Sequence, residues 1–201
     1  MSVDLCPRFR EREWLEDPGF ESWANGTTLN YWTPAGVVTV AQEATEKFAG
    51  SYSAKATRSD GSTFSSLTGR EFNLAFNAWF YIGIRAKGTI AFGNALRLLF
   101  RNVNTGLSWD ESAQDWIASG SVYRNSITYD YVVADAWIKL DSRVALATHR
   151  YRMELAGYWT AAESMFYDAA TIMGPYAKPI AQVGLLPLTY HGEGLRLGAF
   201  H

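Results

Sequence analysis

The sequence is poor in the groups that carry chemistry. Its one cysteine, Cys6, excludes an internal disulfide and any Cys-x-x-Cys metal or redox motif. The three histidines, His149, His191 and His201, lie too far apart for the His-x-x-x-His spacing that brings two imidazoles to one metal. No glycine-rich phosphate loop and no Gly-x-Ser-x-Gly elbow occurs. Asp110, Glu111, Asp115 and Asp130 are the carboxylates that could pair for glycoside hydrolysis, but they sit in loop-like sequence, where such groups are ordinarily solvated. A non-catalytic protein is expected.

Other absences narrow the partners. Eighteen Lys and Arg against twenty Asp and Glu leave a net charge of −2, so no basic excess exists for a nucleic acid. No stretch approaches the roughly 18 consecutive apolar residues of a membrane span. Residues 1–13 carry charge where a signal peptide needs an apolar run, so synthesis in the cytoplasm without export is expected. Asn25-Gly26-Thr27 matches a glycosylation acceptor but is read as a turn. There is no internal repeat and no low-complexity tract.

Aromatic residues are abundant: eight Trp, eleven Tyr and eleven Phe, three of the tryptophans falling between Trp14 and Trp32. Large rings between the Pro18-Gly19 and Asn25-Gly26 turns suit the capped end of a β-sandwich core. Strand patterns follow. Val37 to Ala41 is β-branched, and Ser51 to Thr57 alternates. Trp79 to Lys87 alternates most strongly: Phe80, Ile82, Ile84 and Ala86 form one face, and Trp79, Tyr81, Gly83 and Arg85 the other. Leu96, Leu98 and Phe100 point opposite to Arg97 and Arg101, and Tyr151, Met153 and Leu155 opposite to Arg152 and Glu154. Val122 to Val133, with Tyr123, Tyr129 and Tyr131, and Ala136 to Leu146 read as further strands; 110–120 reads as a polar loop or short helical turn holding Trp116. Eight or more short strands without a helical period predict an all-β protein, a jelly-roll sandwich of two antiparallel sheets.

Pro18-Gly19-Phe20-Glu21, Trp32 and Gly50-Ser51-Tyr52-Ser53-Ala54-Lys55 resemble the opening of carbohydrate-binding modules of the family 4/9/22 type. Met165-Phe166-Tyr167-Asp168-Ala169-Ala170-Thr171-Ile172 resembles that family's last strand, with Ala169 standing where a second acidic residue is usual. The resemblance covers roughly residues 14–173 in the family's order and implies a galactose-binding-like jelly roll. It implies glycan binding through Trp79, Tyr81 and Arg85, joined by Trp109 and Trp116 from an adjacent loop. It also implies a structural calcium held by Glu21, Asp168 and a carbonyl near Gly50 or Ser51, a site that the missing second carboxylate weakens.

The expected organisation is an N-terminal arm over 1–13, the jelly roll over 14–173 and a C-terminal arm over 174–201. That last stretch mixes prolines and glycines with apolar residues and needs a surface to lie on, its own or a neighbouring subunit's. Together these readings predict a virion structural or decoration protein of a bacteriophage, in the head or tail, assembling with other virion proteins or copies of itself. Host-surface polysaccharide is the further partner. The alternative is a stand-alone carbohydrate-binding module or an accessory domain of a polysaccharide-degrading enzyme.

Overall fold

The computed structural model describes residues 12–58, 65–74, 77–88, 96–124, 131–140, 148–157 and 164–176. The strands are β1 (Arg12–Glu13), β2 (Trp23–Asn25), β3 (Thr28–Leu29), β4 (Trp32–Ala35), β5 (Val38–Glu43) and β6 (Ser53–Arg58). There follow β7 (Ser65–Gly69), β8 (Phe72–Asn73), β9 (Ala78–Gly88), β10 (Leu96–Asn102) and β11 (Ser108–Asp110). The remainder are β12 (Asp115–Ile117), β13 (Val122–Arg124), β14 (Val132–Leu140), β15 (Arg150–Gly157) and β16 (Ser164–Tyr176). The C-terminal arm beyond Tyr176, residues 1–11, Tyr129, Asp130, His191, His201 and 141–146 lie outside the described residues.

The protein is an all-β sandwich. One sheet has the order β14-β9-β16-β6-β5, with β1 added to β16. The other runs β12-β11-β10-β15-β7-β4, with β13 on β10 and β8 on β15, and β2-β3 form a separate hairpin around Gly26. Neighbouring strands pair antiparallel. The two-residue alternation decides which side chains enter the core. Phe80, Ile82, Ile84 and Ala86 of β9 face Leu96, Leu98 and Phe100 of β10 and Tyr151, Met153 and Leu155 of β15 across it, all essentially inaccessible. Among the described residues no helix is long and apolar enough to cross a membrane.

The aromatic opening closes one end of this core. Phe20 is fully buried and stacks at 4.8 Å on Trp32, whose Nε1 donates to the Asp17 carbonyl at 3.0 Å. Trp14 lies 6.5 Å from Phe72 and 6.2 Å from Phe80, and its Nε1 donates to the Gly174 carbonyl. Residues 14–22 form no strand; they wrap the sandwich end, tied to it by Trp14 N to the Ile172 carbonyl and Ala170 N to the Pro18 carbonyl. Conversely, the sheet takes in Arg12 and Glu13 and continues through Gly174, Pro175 and Tyr176, so it overlaps the ends of both expected arms. Glu13 explains the junction: its carboxylate accepts hydrogen bonds from the backbone N–H groups of Trp14, Leu15 and Ile172 and from the Thr171 hydroxyl.

Residues 110–120 differ from expectation. They form a hairpin, not a loop or helical turn. Asp110 accepts from the Ser112 hydroxyl and the Ala113 N–H, which closes the turn, and Gln114 takes φ = 50°. Trp109 and Trp116 then stand directly opposite one another on β11 and β12.

Candidate functional site

Three surface features follow from this framework. The first is the outer face of the six-stranded sheet. As the alternation predicts, Trp79, Tyr81, Gly83 and Arg85 occupy it, opposite the core face of β9. They meet Lys139, Trp137, Asp135 and Val133 of β14 in register. Tyr81, however, is only 7% exposed. Its ring lies 5.5 Å from Trp137, its hydroxyl donates to Asp135 at 2.9 Å, and burial pushes its ionisation upward. It therefore supports the face without offering a ring to a ligand. Trp79 and Arg85 are partly open. Sequence reasoning missed Trp137, which packs edge-on to Tyr176 at 5.1 Å, and Phe48, which the loop after β5 lays against the Arg85 guanidinium.

Trp109 and Trp116 are corrected: they belong to the core. They are 3% and 5% exposed and meet edge to face at 6.0 Å. Trp116 also lies 6.0 Å from Phe100 and 6.1 Å from Tyr151, and its Nε1 donates to the Lys139 carbonyl at 2.9 Å. Neither ring has a face left for a sugar.

The second feature is a cavity of about 40 Å³ where the Pro18-Gly19 turn meets Ala49-Gly50 and β16. Glu21 and Asp168, the two residues expected to hold a metal, both line it. β16 bulges here: the register shifts between Asp168 and Thr171, and Ala169 takes φ = 48°. Glu21 Oε1 accepts from Ser51 N at 2.7 Å and Tyr52 N at 3.1 Å. Asp168 Oδ2 accepts from Phe48 N and Ala49 N at 2.7 and 2.9 Å. Burial pushes the Asp168 carboxyl up to about 6, against the opposing N–H bonds and with help from the Glu21 charge. Two mutually repelling carboxylates on one small cavity are hard oxygen donors, so the pair fits a calcium ion. Among the described residues no group of three or more His, Cys, Asp or Glu converges, so carbonyls or water would supply the other ligands. Glu13 lines the same cavity but is committed to the β1–β16 junction.

The third feature was not foreseen. A cleft of about 600 Å³ opens at the capped end of the sandwich, between residues 13–17, Tyr31-Trp32 and 69–73. Three separate stretches build it, and no spacing in any one of them announces it. Trp14, Tyr31 and Phe72 supply rings; Glu16, Arg70, Glu71 and Asn73 supply polar groups. Arg70 lies 4.6 Å over the Tyr31 ring, donates to Glu16 at 3.1 Å and reaches the Asn30 carbonyl at 3.3 Å. Glu71 pairs with Arg150 at 2.7 Å. Beneath them Asp17, buried, anchors the Glu21 and Ser22 N–H groups, and burial raises its pKa. The volume lies within the roughly 300–1,000 Å³ of ligand sites, and rings beside charged donors and acceptors suit an amphipathic ligand.

No protein-family model matches the sequence, and no curated protein matches it. Solved structures do share the fold. The TmCBM61 module, solved in complex with β-1,4-galactotriose, superposes with a TM-score of 0.52 at 18% identity, covering 80% of this chain and 97% of that one. The C-terminal family 22 carbohydrate-binding module of Clostridium thermocellum Xyn10B gives 0.51 at 14% identity, over 78% of this chain and 99% of that one. The enzymatically active domain of bacteriophage CBA120 tailspike protein 4 gives 0.50 at 13% identity, over 76% of this chain but only 21% of that one. The chain thus has the jelly-roll sandwich fold of carbohydrate-binding modules.

Proposed function

We propose that this protein is a non-catalytic glycan-binding module that takes its sugar in the cleft beside Trp14. One observation carries the reading: a cleft large enough for a short oligosaccharide places three aromatic rings beside hydrogen-bonding charges, on a fold shared with modules solved with or studied for glycan binding. Pyranose rings have an apolar face and a polar rim, which is the chemistry this lining matches. Trp79, partly open on the outer face of the six-stranded sheet, stands as a further contact. Glu21 and Asp168 would hold a calcium ion, which would tie the first turn to the last strand. The test is retention on polysaccharide gels. Tyr31→Ala and Arg70→Ala, both at accessible positions, should abolish retention and leave the unfolding midpoint nearly unchanged. Full retention in both variants would sink the cleft assignment.

A virion role is the finer reading, and the likeness to a phage tailspike domain favours it. In that setting the module decorates a phage head or tail, meets host-surface polysaccharide there, and uses residues 177–201 to bind a neighbouring subunit. Solution mass of the full chain against a chain ending at Tyr176 tests it. A full-length oligomer and a truncated monomer support assembly through the arm; two monomers refute it.

A further inference from the structure

We propose a second binding site, away from the cleft, at which Arg85 and Lys55 hold the carboxylate of a hexuronic acid in an acidic polysaccharide. The site lies on the outer face of the six-stranded sheet, where cations and rings interleave across three strands. Lys87 on β9 and Lys55 on β6 are the register partners of Phe166 on β16, one on each side. Both ammonium groups sit 5.8 Å from the centre of its ring. Two residues along β9, the Arg85 guanidinium carbon sits over Phe48, 4.0 Å from the ring centre, and Tyr131 meets Phe48 edge-on at 5.7 Å.

Of the three cations, only Lys87 is spent in an ion pair. Lys87 is paired with Glu46, whose backbone carbonyl also accepts from the Tyr131 hydroxyl. Glu43 accepts from the backbone N–H groups of Thr45 and Glu46 and also feels the Lys55 charge. The buried Asp168 is held by Phe48 N and Ala49 N. Among the described residues neither Arg85 nor Lys55 has a carboxylate within ion-pair distance, and Arg85 Nε is buried with no hydrogen-bond partner. With Nε buried, the terminal Nη edge of the guanidinium is the one that would meet a planar carboxylate in two parallel hydrogen bonds. Phe48 is 40% exposed, one of two large apolar side chains left open among the described residues. The ligand must therefore bring an anion and an apolar face within one unit. A uronic acid does so, with its carboxylate on the ring carbon next to the stacking face.

The experiment compares the full chain on polygalacturonate, on neutral β-1,4-galactan and on a sulfated galactan free of uronic acid. Polygalacturonate should bind at least tenfold tighter than galactan at low salt, and the preference should shrink as salt rises. Arg85→Gln and, on a different strand, Lys55→Gln should each remove most of that preference and leave galactan binding as it was. Two accessible variants on separate strands guard against a fold defect in one. Equal affinity for polygalacturonate and galactan, or a preference that survives both substitutions, overturns the site while leaving the cleft intact. Equal binding of sulfated and uronic chains overturns the assignment to a carboxylate. Failure to bind any of the three overturns this inference and the glycan reading together. Loss of galactan binding only on Tyr31→Ala supports two separate sites.

Discussion

Trp116→Ala separates a core ring from a sugar platform more sharply than any other single change. The indole is 5% exposed, touches Phe100, Tyr151 and Trp109, and donates one hydrogen bond to the Lys139 carbonyl. Truncating a buried Trp costs about 3–5 kcal/mol, part transfer free energy and part the cavity left behind. The orphaned carbonyl adds about 1 kcal/mol where water cannot reach it. A loss of about 5 kcal/mol is the expectation. With a urea slope of roughly 2 kcal/mol per molar, the unfolding midpoint should fall by about 2.5 M with the slope unchanged. Trp116→Phe keeps most of the packing and should cost about half as much. Polysaccharide retention, measured on the fraction still folded, should not move. The opposite pattern, an unmoved midpoint with lost retention, would return Trp116 to the ligand surface and refute the core placement.

Other outcomes follow from the loop junction. Gly50→Ala should destabilise by about 2–3 kcal/mol in urea unfolding, since φ is +66° and a Cβ would collide with Glu21 Oε1, itself held by the Ser51 and Tyr52 N–H groups. Ala169→Gly, at φ = 48°, should stabilise by up to about 1 kcal/mol in the same assay by relieving a left-handed conformation. Asp168 titrates in the fold at about 6, above its ordinary 3.8, so the native state holds its proton over that window. Its contribution to stability is fully present below the unfolded value and is lost as pH rises from about 4 to beyond 6. Urea midpoints measured in chelator should therefore fall across that range, and Asp168→Asn should flatten the slope. Calcium at a hundred times its dissociation constant should raise unfolding free energy by about 2.7 kcal/mol in the native chain and not in Glu21→Gln; an equal rise in both excludes Glu21 as a ligand.

The sandwich was legible where one strand carried its own period. β9 reads apolar at Phe80, Ile82, Ile84 and Ala86, and a sheet with one buried face must put those residues inward. The same rule oriented β10 and β15. It failed at 109–117, where six residues between two tryptophans, all polar but Ala113, look like a solvated loop. Yet a four-residue turn places the residues that flank it on facing strands, so Trp109 and Trp116 become a cross-strand pair on one face. Once paired, two indoles are too much apolar surface to leave in water, and both go to the core. The spacing was visible; the turn chemistry of Asp110 that makes use of it was the part overlooked. Burial of Tyr81 had no sequence signal at all, because its cover comes from Trp137 and its hydrogen bond from Asp135, both on β14. The cleft is the limiting case. Trp14, Tyr31 and Arg70 meet only because β4 and β7 pair, which carries residue 70 alongside Tyr31, and because Glu13 pins the opening segment to β16. A surface assembled from three stretches by sheet topology has no local period to read. Such a cleft is therefore written in the strand order, and the core in the strands.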